Sequence, residues 1–478
     1  MSAMFVASES FLVFDYLRIP HRLLAEAGND VPVGLGAIVS EQAPNRRLLW
    51  PTRTGGLLER EGSPGEYRFA GSSIFARVLP DAVMQSTLGT GWHADQAVID
   101  RDGRTVASVW RDGAGATCLP FDPAEAMVAF WSEAYLGILN RRHTPGPSRA
   151  VRLYYRVRPL VPRRLQISLR RAYAHRLGRA DFPHWPAEPA FHDLLRTLYL
   201  FAQEVAAEPL PWIAPWPAPY AWSLVLTHDV ETADGYARVE ELQALESSLG
   251  YRAAWNLVPS RYAVEDRLLR SIERAGGEVG LHGLHHDGRD LESRELLEAR
   301  LPEMREHAGR WQAVGFRSPA TQRRWDLMPA LGFDYDSSYP DTDPYEPQPG
   351  GSCSWLPYMI GDMVELPITL PQDHTLFVIL KLADAKIWAD KIALLRKRGG
   401  MALLLTHPDY MGNDVVLRAY RGLLEAHADD DSAWRALPRE VSAWWRRRAT
   451  SNVVRDESGW RVVGPAAEEA RISCEPPG

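Results

Sequence analysis

At 478 residues, with 45% hydrophobic and 24% charged residues, the chain has the composition of a soluble globular protein and is too long for one ordinary core. A net charge of −7 argues against a general nucleic-acid binder, and three scattered cysteines (Cys118, Cys353, Cys474) exclude a thiolate zinc site and fit a reducing compartment better than a disulfide framework. No apolar run approaches the ~18 residues of a membrane-spanning helix.

The N-terminal stretch has no basic leader, and Glu9 and Asp15 interrupt its apolar residues. It therefore reads as mature structure rather than a signal peptide, with the cytoplasm as the expected location and peripheral membrane contact left open. Residues 1 to about 120 are expected to be β-rich, with strands at Phe11–Leu17, Val31–Ile38 and Tyr67–Phe69 between Gly and Pro punctuation. The clearest local signal is a hairpin, Gln96–Asp100 and Thr105–Trp110, joined through Asp102-Gly103. A helix is expected from Pro123 to Leu139, with Asp122 as its N-cap.

The segment Arg152–Arg179 holds nine arginines and no acidic residue, with apolar residues mostly at helical spacing. It fits an anion-facing surface for membrane headgroups or another anionic ligand, but charge runs are more commonly a solvated helix face or a helix packed against acidic neighbours. Residues 209–220 hold five prolines and two tryptophans, a composition that favours extended chain and marks a boundary strapped onto the surface.

Beyond Tyr220 the pattern alternates. Strand-like runs fall at 223–228, 253–258, 278–282, 313–317, 333–337, 364–368 and 401–406, and helical patterns at 237–249, 263–275, 290–309, 325–331, 383–398 and 414–428. Pro302 should kink or split the third helix, and Ala433–Arg448 should form a last helix before a hairpin at 452–463. Such alternation predicts a mostly parallel sheet.

Three of the strand-like runs end in polar groups that would be costly to bury unpaired. Ser223-Leu-Val-Leu-Thr-His-Asp-Val-Glu231 delivers Asp229 and Glu231, two residues apart and so on one side of a strand. Glu278-Val-Gly-Leu-His282 leads to His286, and Ala402-Leu-Leu-Leu-Thr-His407 ends in an imidazole. A single His-x-x-x-His pair means little among 14 histidines. Three strands of one sheet ending in metal-competent groups mean more, since two imidazoles and a carboxylate are a familiar set around a catalytic zinc.

These segments resemble, in order, the motifs of the polysaccharide deacetylase superfamily, the metal-dependent deacetylases with a NodB-homology domain. Thr227-His-Asp-Val-Glu231 is similar to its first motif, His282-Gly-Leu-His-His286 to the second and Gly315-Phe-Arg-Ser-Pro319 to the third. Asp334-Tyr-Asp-Ser-Ser338 and Leu405-Thr-His407 follow in family order. The resemblance covers residues 220–430 and implies an α/β fold, a distorted, incomplete (β/α) barrel. It implies Asp229 as general base, His407 as general acid, Arg317 as the partner that orients Asp229, and His282 and His286 as ligands of a divalent metal, zinc being the expected one. Val230 stands where the family's adjacent second aspartate is usual, and Glu231 is assigned as third ligand by analogy with Asp-x-Asp variants.

His228, Tyr339 and Trp355 are the expected substrate-facing residues, the last two flanking a Pro/Gly-rich stretch expected to form a flap; His228 also fits a supporting place behind Asp229, and Trp355 fits core packing or loop anchoring equally well. The expected organisation is an α+β domain of unassigned role at 1–207, a linker at 208–220, the deacetylase-like catalytic domain at 221–450, and a hairpin and tail at 451–478. The expected activity is hydrolysis of an N-acetyl or other N-acyl group on a sugar or glycan precursor, with no nucleic acid involved. Two alternatives stand beside it. One is hydrolysis of a cyclic amide or ureide; the other is a metal-less carbohydrate-binding or scaffold protein.

Overall fold

A computed structural model describes residues 4–23, 31–139 and 181–478. The Arg-rich segment 152–179 lies outside the described residues. No helix among those described is long and apolar enough to cross a membrane. The chain divides into two compact units that interleave in sequence: Met1–Arg142, Pro189–Ala218 and Arg446–Gly478 form one, and His143–Glu188 and Pro219–Trp445 the other.

The first unit contains a nine-stranded sheet. Within it Trp92–Ile99 pairs with Thr105–Asp112 as the expected hairpin, and the Asp100 carboxylate accepts the Asp102 and Arg104 N–H groups to shape the turn. Asp122 caps the helix Pro123–Trp131 by accepting the Ala124 N–H at 2.8 Å, as expected; the helix then breaks at Glu133 (φ 59°) before Tyr135–Ile138. Phe11–Leu17, expected as a strand, contains the helix Leu12–Leu17, in which Val13, Phe14, Tyr16 and Leu17 are buried. A short, nearly continuous apolar run carries no period that separates the two states.

The division between the two units falls inside the expected 208–220 linker, after Ala218, but most of the segment before it is packed. Leu210, Trp212, Ile213 and Trp216 are buried, Trp212–Ile213 pairs with Ile472–Ser473, and the Arg448 guanidinium donates to the Ile213 and Ala214 carbonyls. Proline removes donors but not apolar area, so an extended, proline-rich segment can still be buried along one short strand pair. The C-terminal hairpin forms as expected, Asn452–Asp456 with Gly459–Val463, and belongs to this same unit rather than standing as a separate tail.

The second unit is built on one mostly parallel sheet. Its strands are β1 (Trp222–Val230), β2 (Ala253–Leu257), β3 (Glu278–Leu281), β4 (Gly315–Phe316), β5 (Tyr335–Asp336), β6 (Tyr358–Ile360), β7 (Met363–Glu365), β8 (Met401–Thr406) and β9 (Ala433–Arg435). Their order is β6-β7-β5-β4-β3-β2-β1-β8, with β9 also beside β1, and only β6 and β7 run antiparallel. Every residue of β1 is buried, as befits a strand covered on both faces, which is why Leu224–Leu226 reads as an uninterrupted apolar run. The sheet is curled: the chain leaving β7 reaches β8, where Leu370 N–H donates to the Leu403 carbonyl at 3.0 Å and the Thr369 hydroxyl donates to the Met401 carbonyl at 2.6 Å.

Helices α1 (Val239–Ser248), α2 (Asp266–Arg274), α3 (Arg294–Trp311), α4 (Lys386–Arg398) and α5 (Asp414–His427) alternate with the strands. Ser293 and Asn413 cap α3 and α5, and α4 ends at Gly399 in the left-handed region (φ 66°). Pro302 does not split α3, which continues through it at an exposed position. The expected helix 433–448 is instead β9 followed by a helix at Pro438–Ala449.

Gly315 stands beside Tyr335 in register, and a Cβ there would collide with the Tyr335 ring, whose hydroxyl is bonded to buried Glu278. Gly315→Ala is therefore expected to lower stability by about 1–3 kcal/mol through overpacking, measured as a shift in the urea midpoint at unchanged slope.

Candidate active site

The polar groups lie at the C-terminal ends of β1, β3, β4 and β8, the end at which α/β sheets build their sites. The period of β1 decides what each of its residues meets. Thr227 and Asp229 turn to one side, where Arg317, just beyond β4, donates to the Thr227 hydroxyl at 2.9 Å and to Asp229 Oδ1 at 3.3 Å. Arg317 is itself held by the Ser337 carbonyl at 2.7 Å and the Ser337 hydroxyl at 2.8 Å. Asn256, on β2, donates its amide to the same Asp229 Oδ1 at 2.8 Å, while Oδ2 lies 3.6 Å from His282 Nε2. Burial alone would raise the Asp229 carboxyl. His282, Arg317, His407 and the Asn256 donor outweigh it and hold the group below the usual carboxylate range.

Glu231, His282 and His286 come together, one ligand atom of each lying within 4.8 Å of the others. His286 Nε2 is 3.0 Å from Glu231 Oε1. His282 Nδ1 faces the Arg317 carbonyl at 3.0 Å, which fixes the proton on that nitrogen and leaves Nε2 as a buried lone pair without a hydrogen-bond partner. Burial, foremost, pushes His282 down to about 4, so it is neutral at pH 7, the form that binds metals. Glu231 is held well below the usual range: burial opposes the charge, but His286, His407 and His282 outweigh it. An orphaned imidazole nitrogen facing a second imidazole and an ionised carboxylate fits a divalent metal. Val230 is fully buried on the opposite side of the strand, and Glu231, the next residue, is the carboxylate that reaches the cluster.

His407 sits across the cluster, its Nε2 3.6 Å from Glu231 Oε1. Asp373 grips it twice, accepting the backbone N–H at 2.8 Å and facing Nδ1 at 2.7 Å. Burial disfavours the imidazolium, but Asp373, Glu231 and Asp229 outweigh that and push His407 up to about 10. Two histidines of one site are thus set oppositely, one neutral and one charged. Asp409 supports Glu231 from the far side, accepting its N–H at 3.3 Å and the Thr232 hydroxyl.

The three expected substrate-facing residues are corrected. His228 is 0% exposed. As the residue between Thr227 and Asp229 it points the other way, between Glu246 of α1 (2.7 Å) and the Thr406 hydroxyl (2.8 Å), stacked on Trp255 at 4.2 Å. Trp355 is equally buried, its ring over Gly400, where a Cβ would meet it at 2.8 Å, and its carbonyl on the Met401 N–H. Tyr339 is buried against Tyr358 and under the Arg323 guanidinium. The stretch 339–354 is a packed loop rather than a flap, pinned by Lys391 of α4 on Asp341 at 2.7 Å.

Asn256, Asp373 and Asp409 went unread in the sequence. An asparagine inside the apolar run 253–258 is the one signal that could have found the first; Asp373 caps the helical segment His374–Ile379, and its sequence position has no diagnostic spacing to His407.

No known protein family and no curated protein matches the sequence. Among solved structures, the chain is similar to polysaccharide and peptidoglycan deacetylases. A candidate polysaccharide deacetylase of Mycobacterium smegmatis shares 21% identity over 49% of this chain and 93% of its own, with a TM-score of 0.41. The peptidoglycan deacetylase PdaC of Bacillus subtilis shares 13% identity over 46% and 90%, with a TM-score of 0.32. The PuuE allantoinase is similar too, at 15% identity over 48% and 92%, with a TM-score of 0.40.

Protein purified without added metal is expected to carry about one equivalent of divalent metal by elemental analysis, and His282→Ala to lose it. Equal, negligible content in both after zinc is offered would count against the site.

Proposed function

We propose that this chain is a metal-dependent amide hydrolase that removes an N-acetyl or related N-acyl group from a sugar or glycan precursor, its curled sheet being an incomplete (β/α) barrel. One observation carries the proposal. A carboxylate held ionised and an imidazole held protonated face the same Glu-His-His cluster, and hydrolysis of an amide demands one base and one acid. The order of the sequence motifs supports the sugar amide as substrate.

Glu231, His282 and His286 would hold the metal, which when bound polarises a carbonyl and lowers the pKa of water from about 15.7 towards about 7. Asp229 takes a proton from the attacking water as its oxygen bonds to the amide carbon. Arg317 keeps Asp229 charged and aimed, a task for which its planar, permanently charged fork is suited. His407 gives its Nε2 proton to the departing nitrogen as the C–N bond breaks, because an unprotonated amide nitrogen is too basic to leave. Asp373, on Nδ1, leaves that Nε2 proton as the one available. The products are a carboxylate and a free amine.

The test is product analysis on N-acetylglucosamine oligosaccharides beside a panel of cyclic amides and ureides, using metal-loaded protein. Release of acetate and a free amine is the expected outcome; ring opening alone would move the assignment to the second panel. No turnover of either would overturn it and favour a binding protein. His407→Ala should lower kcat by about 10²–10⁴-fold, with metal content unchanged. Asp373→Asn, which keeps the shape of the grip but not its charge, should lower kcat in the same direction by less.

A further inference from the structure

Three residues stand in one line of register across the sheet: Asp229 on β1, Asn256 on β2 and Gly280 on β3. In parallel strands such neighbours present their side chains to the same face. Asp229 and Asn256 are 2% and 3% exposed, and the Asn256 amide donates to Asp229 Oδ1 at 2.8 Å. The third member has no side chain, and it needs none: a Cβ at Gly280 would overlap Asn256 Oδ1. The glycine is thus the space in which the amide lies.

The donors on Asp229 are distributed unevenly. Asn256 and Arg317 both address Oδ1, and Oδ2 faces the His282 side of the cluster. A carboxylate needs donors to remain charged when buried, but a donor that titrates would compete for the proton the base is meant to take. A carboxamide does not titrate. It can hold one oxygen of the carboxylate without giving up or accepting a proton.

We propose that Asn256 is a positioning residue for the hydrolytic reaction: by occupying Oδ1 it leaves Oδ2 as the proton-accepting oxygen of Asp229, and Gly280 keeps its place open. The inference rests on Asp229 being the general base.

The experiment compares kcat and KM for Asn256→Ala, Asn256→Asp, Gly280→Ala and Asp229→Asn in zinc-loaded protein acting on N-acetylglucosamine oligosaccharides, with metal content and thermal midpoint measured on each. Asn256→Ala is expected to lower kcat by about 100-fold, the scale of a misplaced reacting group, with KM and metal content close to wild type. Asn256→Asp, which keeps the volume but replaces the donor with a like charge, should lose more. Gly280→Ala should reproduce the kcat loss with Asn256 still present. Wild-type kcat in Asn256→Asp, or a loss confined to KM or metal content in all three, would overturn the proposal. Undiminished kcat in Asp229→Asn would instead remove the base assignment and the proposal with it, as would no turnover by the wild type.

Discussion

The second unit is organised around a buried ion pair, Arg317 with Asp229. Taking both charges out of water is costly, and such pairs seldom add net stability. What this one supplies is geometry. The guanidinium bonds Thr227 and Asp229 at the end of β1 and Ser337 just after β5, so one planar group sets the spacing of three chain segments around the site. The Arg317 carbonyl then orients His282, tying Asp229 and His282 to the same residue.

Electrostatic contrast follows from that arrangement. His282 and His407 are both buried, yet one is pushed down to about 4 and the other up to about 10. The difference lies in their partners. A backbone carbonyl fixes a tautomer without supplying charge, whereas Asp373 offers a full carboxylate to both the ring and the backbone of His407. Environment divides identical side chains into a neutral imidazole and a charged one.

On the far side of β1 a second polar group is buried with no opening to the site. His228 joins Glu246, Thr406 and Tyr420 beneath α1 and α5. Thr406 immediately precedes His407 and His228 immediately precedes Asp229, so this network ties together the two strands that carry His407 and Asp229. The packed 339–354 loop belongs to the same logic: its buried carboxylate Asp341 is matched by Lys391 rather than left to move.

The sequence by itself determined the alternation of strands and helices after Tyr220, because the change of hydrophobic period survives without any tertiary information. It also determined which strand ends carry clustered polar groups: Asp229, Glu231, His282, His286 and His407 converge, since polar groups closing apolar strands must meet one another or pay the full penalty of burial, while Arg317 was legible only through the motif resemblance. Adjacency across strands was beyond it. That Asn256 meets Asp229, that Asp373, a helix-capping residue, reaches His407 34 residues away, and that Leu210–Trp216 of the proline-rich segment is largely buried depend on register and packing. The face to which His228 turns was decided the same way, by which side of β1 the helices cover. A chain records the period of each element, but only the assembled sheet determines what stands opposite each residue.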